Sequence, residues 1–269
     1  MKGFKLTFGI TVFMSSLFVF IPLASILVYS LRLNPKAFWE IISAANVRNA
    51  FLTSIACSLV AALINCVFGV ILAWTLVRYD FRFRTLLDGF IELPFALPTA
   101  VAGITLSKMY SNTGIPGKWL SRIGINVSYT HLGIVVALVF VGIPFVVRTV
   151  QSVLAKLESE YEEAAYVQGA GRFTTFRRVI LPEITPALLS GFGLAFARGL
   201  GEYGSVIYIS GNSARQKTQV VSYVIMQKLN YMDYDGAAAV ALVTLVISFL
   251  VLTLVNIVQI RQSRRTNEL

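Results

Sequence analysis

Histidine occurs once and cysteine twice among 269 residues, and acidic residues number 13. With His131 as the only imidazole, a His-rich zinc site or a Ser-His nucleophile has no materials. Cys57 and Cys66 fall in one apolar run, where they read as small packing residues rather than as a disulfide or a metal pair. Glycine, 19 in all, shows no three-residue period and proline is held to 8, which excludes collagen-like and low-complexity classes. Charged residues make up only 13%, about half the soluble share. What is abundant is apolar: 56% of the chain is hydrophobic. So few charges cannot cover that much apolar surface in water, and the chain reads as an integral membrane protein.

The net charge of +10 does not point to nucleic acid, because the basic residues flank the apolar runs. That placement fits cytoplasmic loop retention and attraction to anionic lipid headgroups. A membrane-crossing helix needs ~20 apolar residues. Six runs qualify: 8–31, 49–77, 89–107, 132–147 (extending past a snorkelling Arg148), 186–210 and 236–260. The expected fold is an all-α, six-transmembrane-helix protein forming a single membrane domain over 1–269. The first run is too long for a secretory-signal core and reads as an uncleaved anchor. The Lys and Arg bias among the loops favours both termini in the cytoplasm.

The segment between the fourth and fifth runs carries more pattern than a connector needs. Ser159 with Glu162 matches a capping box that starts a helix. Gly169-Ala170-Gly171 should end that helix, because glycine tolerates positive φ. A second short helix, about 174–180, should stop before Pro182. Phe173 and Phe176 are expected to be exposed and available for burial elsewhere.

Glu163-Ala164-Ala165, then Gly169, then Val179-Ile180-Leu181-Pro182 resembles the EAA loop of type I ABC importer permeases, with Val179 in place of Ile. The strings at 93–103, 143–150, 159–165 and 196–204 are similar to the sulfate/thiosulfate branch of that family. The resemblance implies a transmembrane core over 48–260 with a cytoplasmic coupling loop at 151–185. It also implies that Glu162, Glu163, Ala164, Ala165, Gly169, Ala170, Gly171, Arg172, Phe173 and Pro182 meet an ATPase dimer that binds the ATP. The chain itself would hold no cofactor and no metal. A second, related permease subunit and an extracytoplasmic sulfate/thiosulfate-binding protein complete the implied assembly, set in the lipid of the cytoplasmic membrane. A homodimeric molybdate or tungstate permease is the alternative within the family.

Arg198 and Glu202 lie four apart, on one helix face about 18 Å into the fifth run. Charges at that depth face a bundle interior or a water-filled path. Two readings stay open, a structural ion pair and a cation facing a passing divalent oxyanion. Gly201 and its neighbouring glycines allow close approach to the backbone. In the third run, Glu92, Pro94 and Pro98 mark a bent helix that either packs or lines a pathway. Gly199-Leu-Gly201-Glu-Tyr-Gly204 matches the dinucleotide fingerprint but follows no strand. An intramembrane aspartyl protease would pair a Tyr-Asp with a Gly-x-Gly-Asp on separate helices, whereas Asp80 and Asp235 are expected in loops and Gly199-Leu-Gly201 is followed by Glu202.

Overall fold

The computed structural model describes residues 4–158 and 160–267; helices joined by short turns and loops make up the fold, with no strand among the described residues. Helices α1 (Phe4–Ser15) and α2 (Ile21–Leu31) form one apolar rod through a π-turn at Ser16–Phe20. The π-turn accommodates Pro22. The Ile21 N–H reaches back five residues to the Ser16 carbonyl, and the turn widens just before the proline withdraws a donor. The rod lies outside the core against the last helix, its large side chains facing outward as lipid requires.

The short amphipathic α3 (Pro35–Ser43) leads into α4 (Ala45–Arg78), the long central helix. The third apolar run is not one helix. α5 (Arg84–Ala96) and α6 (Thr99–Tyr110) meet at 113°. Pro98 forces Leu97 into extended backbone (ψ 137°), so the predicted kink becomes a break. After α7 (Ile115–Arg122) comes α8 (His131–Leu154), which runs past Arg148 as expected. Then follow α9 (Glu160–Val167) and α10 (Arg172–Thr175), a second π-turn at Phe176–Ile180, and α11 (Leu181–Leu200).

In two places the helices depart from the sequence expectation. The helix does not stop before Pro182: the Leu181 N–H bonds to the Phe176 carbonyl, the same π-turn device used before Pro22, and the rod continues from Arg172 to Leu200. The fifth run does not stay helical to 210. It breaks after Leu200, and the short α12 (Gly204–Ile209) starts afresh. α13 (Val221–Asn230) and α14 (Tyr234–Asn267) complete the chain. Five helical rods are long and apolar enough to cross a membrane, and the bent α5–α6 pair makes six.

The core is the three-helix contact of α4, α8 and α11, filled by Leu76, Val146, Val147, Val150, Leu154, Ile184 and Phe196. Small residues set the spacing. A Cβ on Gly69 of α4 would come within 2.6 Å of Val146 Cγ1, so only glycine lets α4 and α8 approach this closely.

The start of α14 is fixed by Asp233. Its Oδ1 accepts from the Gly236 N–H (3.0 Å) and its Oδ2 from Lys228 Nζ (2.7 Å). The Lys228 hydrogen bond chiefly, against a smaller opposing effect of burial, holds the Asp233 carboxyl below its ordinary range. Its stabilising contribution is therefore complete above the unfolded carboxylate pKa of about 3.9 and is lost as pH falls through the lower folded value. Asp233→Ala is expected to cost about 0.5–2 kcal/mol near neutral pH. In thermal unfolding of the detergent-solubilised protein, the gap to wild type should close once the pH is below the carboxylate range.

Candidate functional site

α9 is too short to hold itself as a helix in water, so something must pin it. Arg78, the last residue of α4, does so: Nη2 and Nε reach Glu162 Oε1 at 2.8 and 2.9 Å, and Nη2 donates to the Leu157 carbonyl at 3.1 Å. The guanidinium also lies over the Trp74 ring, 5.7 Å from its centroid. Glu162 thus points inward, its side chain 14% exposed, while Glu163 and Ala164 face out and Ala165 is half-buried. Ser159, the other half of the expected capping box, lies outside the described residues.

The turn after α9 is built as the glycine predicts. Gly169 adopts φ +80°, its N–H bonds to the Tyr166 carbonyl (2.9 Å), and the Ala170 N–H bonds to the Ala165 carbonyl (3.0 Å). These two bonds are a Schellman motif, which satisfies the Ala165 and Tyr166 carbonyls at the end of α9. Beyond it, Gly171, Arg172 and Pro182 are exposed and Ala170 is half-buried. The two phenylalanines part company. Phe173 is 76% exposed, whereas Phe176 packs edge-on against Trp74, so the expectation that both face outward holds for Phe173 alone. With Val167 at 89% exposure, Phe173 leaves an apolar surface around the exposed Glu163 and Ala164.

Arg198 and Glu202 are brought together, but at a helix end rather than within one. Arg198 is in the last turn of α11 and Glu202 follows its C-cap, Gly201. Arg198 Nη1 meets Glu202 Oε2 at 2.6 Å. Glu202 Oε1 accepts from both the N–H and Oγ of Ser205, each at 2.9 Å, which starts α12, and the Glu202 carbonyl accepts from Ser222 Oγ at 2.6 Å. The two side chains differ sharply in exposure, 1% for Glu202 and 37% for Arg198. The carboxylate is locked, and the cation has an open side.

Glu92 is paired as well. Arg148 of α8 binds Asp88 Oδ1 at 2.6 Å and Glu92 Oε1 at 2.7 Å, with Gln151 Oε1 at 2.6 Å. This cluster ties α5 to α8 beside the buried Pro94, and Pro98 caps α6 after the break. Arg148 is therefore paired rather than merely snorkelling, and the sequence signal for its partners is the i, i+4 acids Asp88 and Glu92. A protease dyad finds no second carboxylate free to share a proton, since Glu202 is taken up by Arg198 and Ser205. Asp80 follows the end of α4 as expected, while Asp235 is not in a loop but in the first turn of α14, which packs near the start of α4.

The family model described as "Binding-protein-dependent transport system inner membrane component" matches residues 65–267. The sulfate transport system permease protein CysT of Escherichia coli (strain K12) is 46% identical over 265 residues, covering 98% of this chain and 95% of its own. The protein of the same name from Synechocystis sp. is 38% identical over 267 residues, covering 99% and 93%. Among solved structures, a bacterial ABC transporter involved in the import of the acidic polysaccharide alginate superposes with TM-score 0.79. Its identity is 17% and its coverage 97% of this chain and 96% of its own, a likeness of fold.

Proposed function

We infer that this chain, which belongs to the family of binding-protein-dependent transport system inner membrane components, imports sulfate as one permease subunit of an ABC importer. The observation that carries the substrate is near-full-length identity with sulfate transport permeases. The chain is a transport subunit of the inner membrane, not an enzyme; ATP is bound and hydrolysed by a separate ATPase. The α9–α10 segment is the proposed seat of that ATPase, through Glu163, Ala164, Val167 and Phe173. A binding protein delivers the anion from outside. Pairing with a second, related permease, transport of thiosulfate alongside sulfate, and cytoplasmic termini belong to the same proposal. Arg198, held in place by Glu202, supplies a cation to a divalent oxyanion in transit. Uptake of labelled sulfate should disappear in a strain deleted for this chain and return with the gene. Unchanged sulfate uptake with lost molybdate uptake would instead identify a molybdate permease.

A further inference from the structure

We propose that the cleft between α6 and α12, at the end of the bundle away from α9, is an entry site for a tetrahedral oxyanion, with Lys108 as its positive charge. The proposal rests on the sulfate-import reading above and adds where the anion first meets this chain.

The place follows from the packing. α9 follows the C-terminal end of α8, whereas Tyr129 precedes its first residue and donates its N–H to the Ile209 carbonyl at the end of α12 (2.7 Å). α6 and α12 touch backbone to backbone: a Cβ on Gly103 would strike the Ser205 carbonyl, and one on Gly204 would strike Thr99 Oγ1. Ser205 is itself held by the Glu202 carboxylate. The two walls of the cleft are therefore fixed relative to each other, and Lys108 and Tyr208 project from them into a common space with Ser107, Ser111, Thr113 and Tyr129.

The chemistry of the lining is one-sided. No carboxylate lines this cleft or the adjoining one that shares Ser111, Thr113 and Tyr129. Among the described residues Lys108 is in no ion pair. Ser111 Oγ is used on the Lys108 carbonyl (2.8 Å) and lies 3.0 Å from Thr113 Oγ1, so these two hydroxyls brace the loop. The phenols of Tyr129 and Tyr208, 57% and 45% exposed, donate to no protein group among the described residues. An ammonium with three N–H bonds and two free phenols is a set of donors without a competing anion. It suits a multiply charged oxyanion, and its unpaired ammonium repels a cation.

Tyr129 is held firmly on the cleft wall. Its φ of +66° is a left-handed conformation that a bulky residue avoids, and it persists because its N–H is held by Ile209 while Gly211 packs against its ring. Such strain costs energy and persists because the surroundings fix the residue, here with Tyr129 on the cleft wall.

The test uses the complete transporter in proteoliposomes with its binding protein and labelled sulfate. Lys108→Gln should lower sulfate uptake about tenfold, the size of one lost charge-assisted hydrogen bond, and Lys108→Arg should stay near wild type. Lys108→Cys should be equally impaired. A cationic aminoethyl methanethiosulfonate adduct should restore it, an anionic sulfonatoethyl adduct should not, and wild type, with Cys57 and Cys66, serves as the labelling control. Normal uptake by Lys108→Gln, or no recovery of Lys108→Cys with the cationic adduct, overturns the site. So does a rise in the binding-protein concentration that half-saturates ATPase stimulation, which would make Lys108 a contact for the binding protein. A wild-type complex that takes up no sulfate would overturn the substrate assignment instead.

Discussion

Arg198→Gln is expected to lower the amount of folded protein and its transport together, and Arg198→Gln/Glu202→Gln to restore the first without the second. The asymmetry of the pair is the reason. Glu202 is 1% exposed and Arg198 37%. Removing the arginine strands a carboxylate that water cannot reach, with only the two Ser205 donors left on it. Breaking a buried pair from one side costs about 3–5 kcal/mol, enough to deplete a marginally stable membrane protein. In the double variant, the amide oxygen introduced at position 202 can still accept from Ser205. Its NH2 group can face the amide introduced at position 198, so no buried charge remains. Replacing both partners of a buried pair is often close to neutral. The yield of complex should then return to near wild type, while sulfate uptake per folded complex stays at least about tenfold down, because a cation facing the anion is missing. Wild-type uptake per complex in the double variant would make the pair purely structural and remove Arg198 from the pathway. The single variant cannot separate those readings, since the geometry makes it damage both.

The pair also illustrates how far a sequence carries. Spacing of four put Arg198 and Glu202 on one face, and they do meet, but the helix ends between them. Three glycines within six residues were visible as permission for close approach, and Gly199 and Gly204 do meet Ser58 of α4 and Thr99 of α6; that the helix would also end there was not legible. The apolar runs were legible because lipid imposes a length, and all six recur as helical rods or a bent pair. Proline was legible only as an obstacle. At Pro98 it breaks the third run by 113°, while at Pro22 and Pro182 a π-turn lets the rod continue, and no local pattern distinguishes those outcomes. In the α9 segment, the glycine turn was read correctly because positive φ is a local demand. The inward turn of Glu162 was not, because its partner, Arg78, is 84 positions away.

The largest effect on coupling is expected from the turn that closes α9. Gly169 sits at φ +80° with open space where a Cβ would be, so a substitution there meets no clash and acts through backbone strain alone. For a β-branched residue that strain is about 1–3 kcal/mol. α9 has little to set against it: it is an eight-residue helix pinned by one cluster at Arg78 and by the two Schellman bonds that Gly169 makes possible. Gly169→Val should therefore unwind the turn and displace Val167 and Phe173, the exposed apolar side chains on either side of it. Gly169→Asn, which tolerates the left-handed region, should be mild, and Gly169→Asp intermediate. Glu163→Lys supplies the cleaner half of the experiment. Glu163 is exposed and, among the described residues, in no ion pair, so reversing its charge costs the isolated subunit little. Any loss must then arise at a partner's surface. Both Gly169→Val and Glu163→Lys are expected to insert normally, to retain under about a tenth of the wild-type ATPase in co-purification, and to transport correspondingly less, a tenfold change being ~1.4 kcal/mol at the interface. If both keep the ATPase and show normal ATP-dependent uptake, α9 and α10 are an ordinary surface hairpin, and the docking face has to be sought elsewhere on the chain.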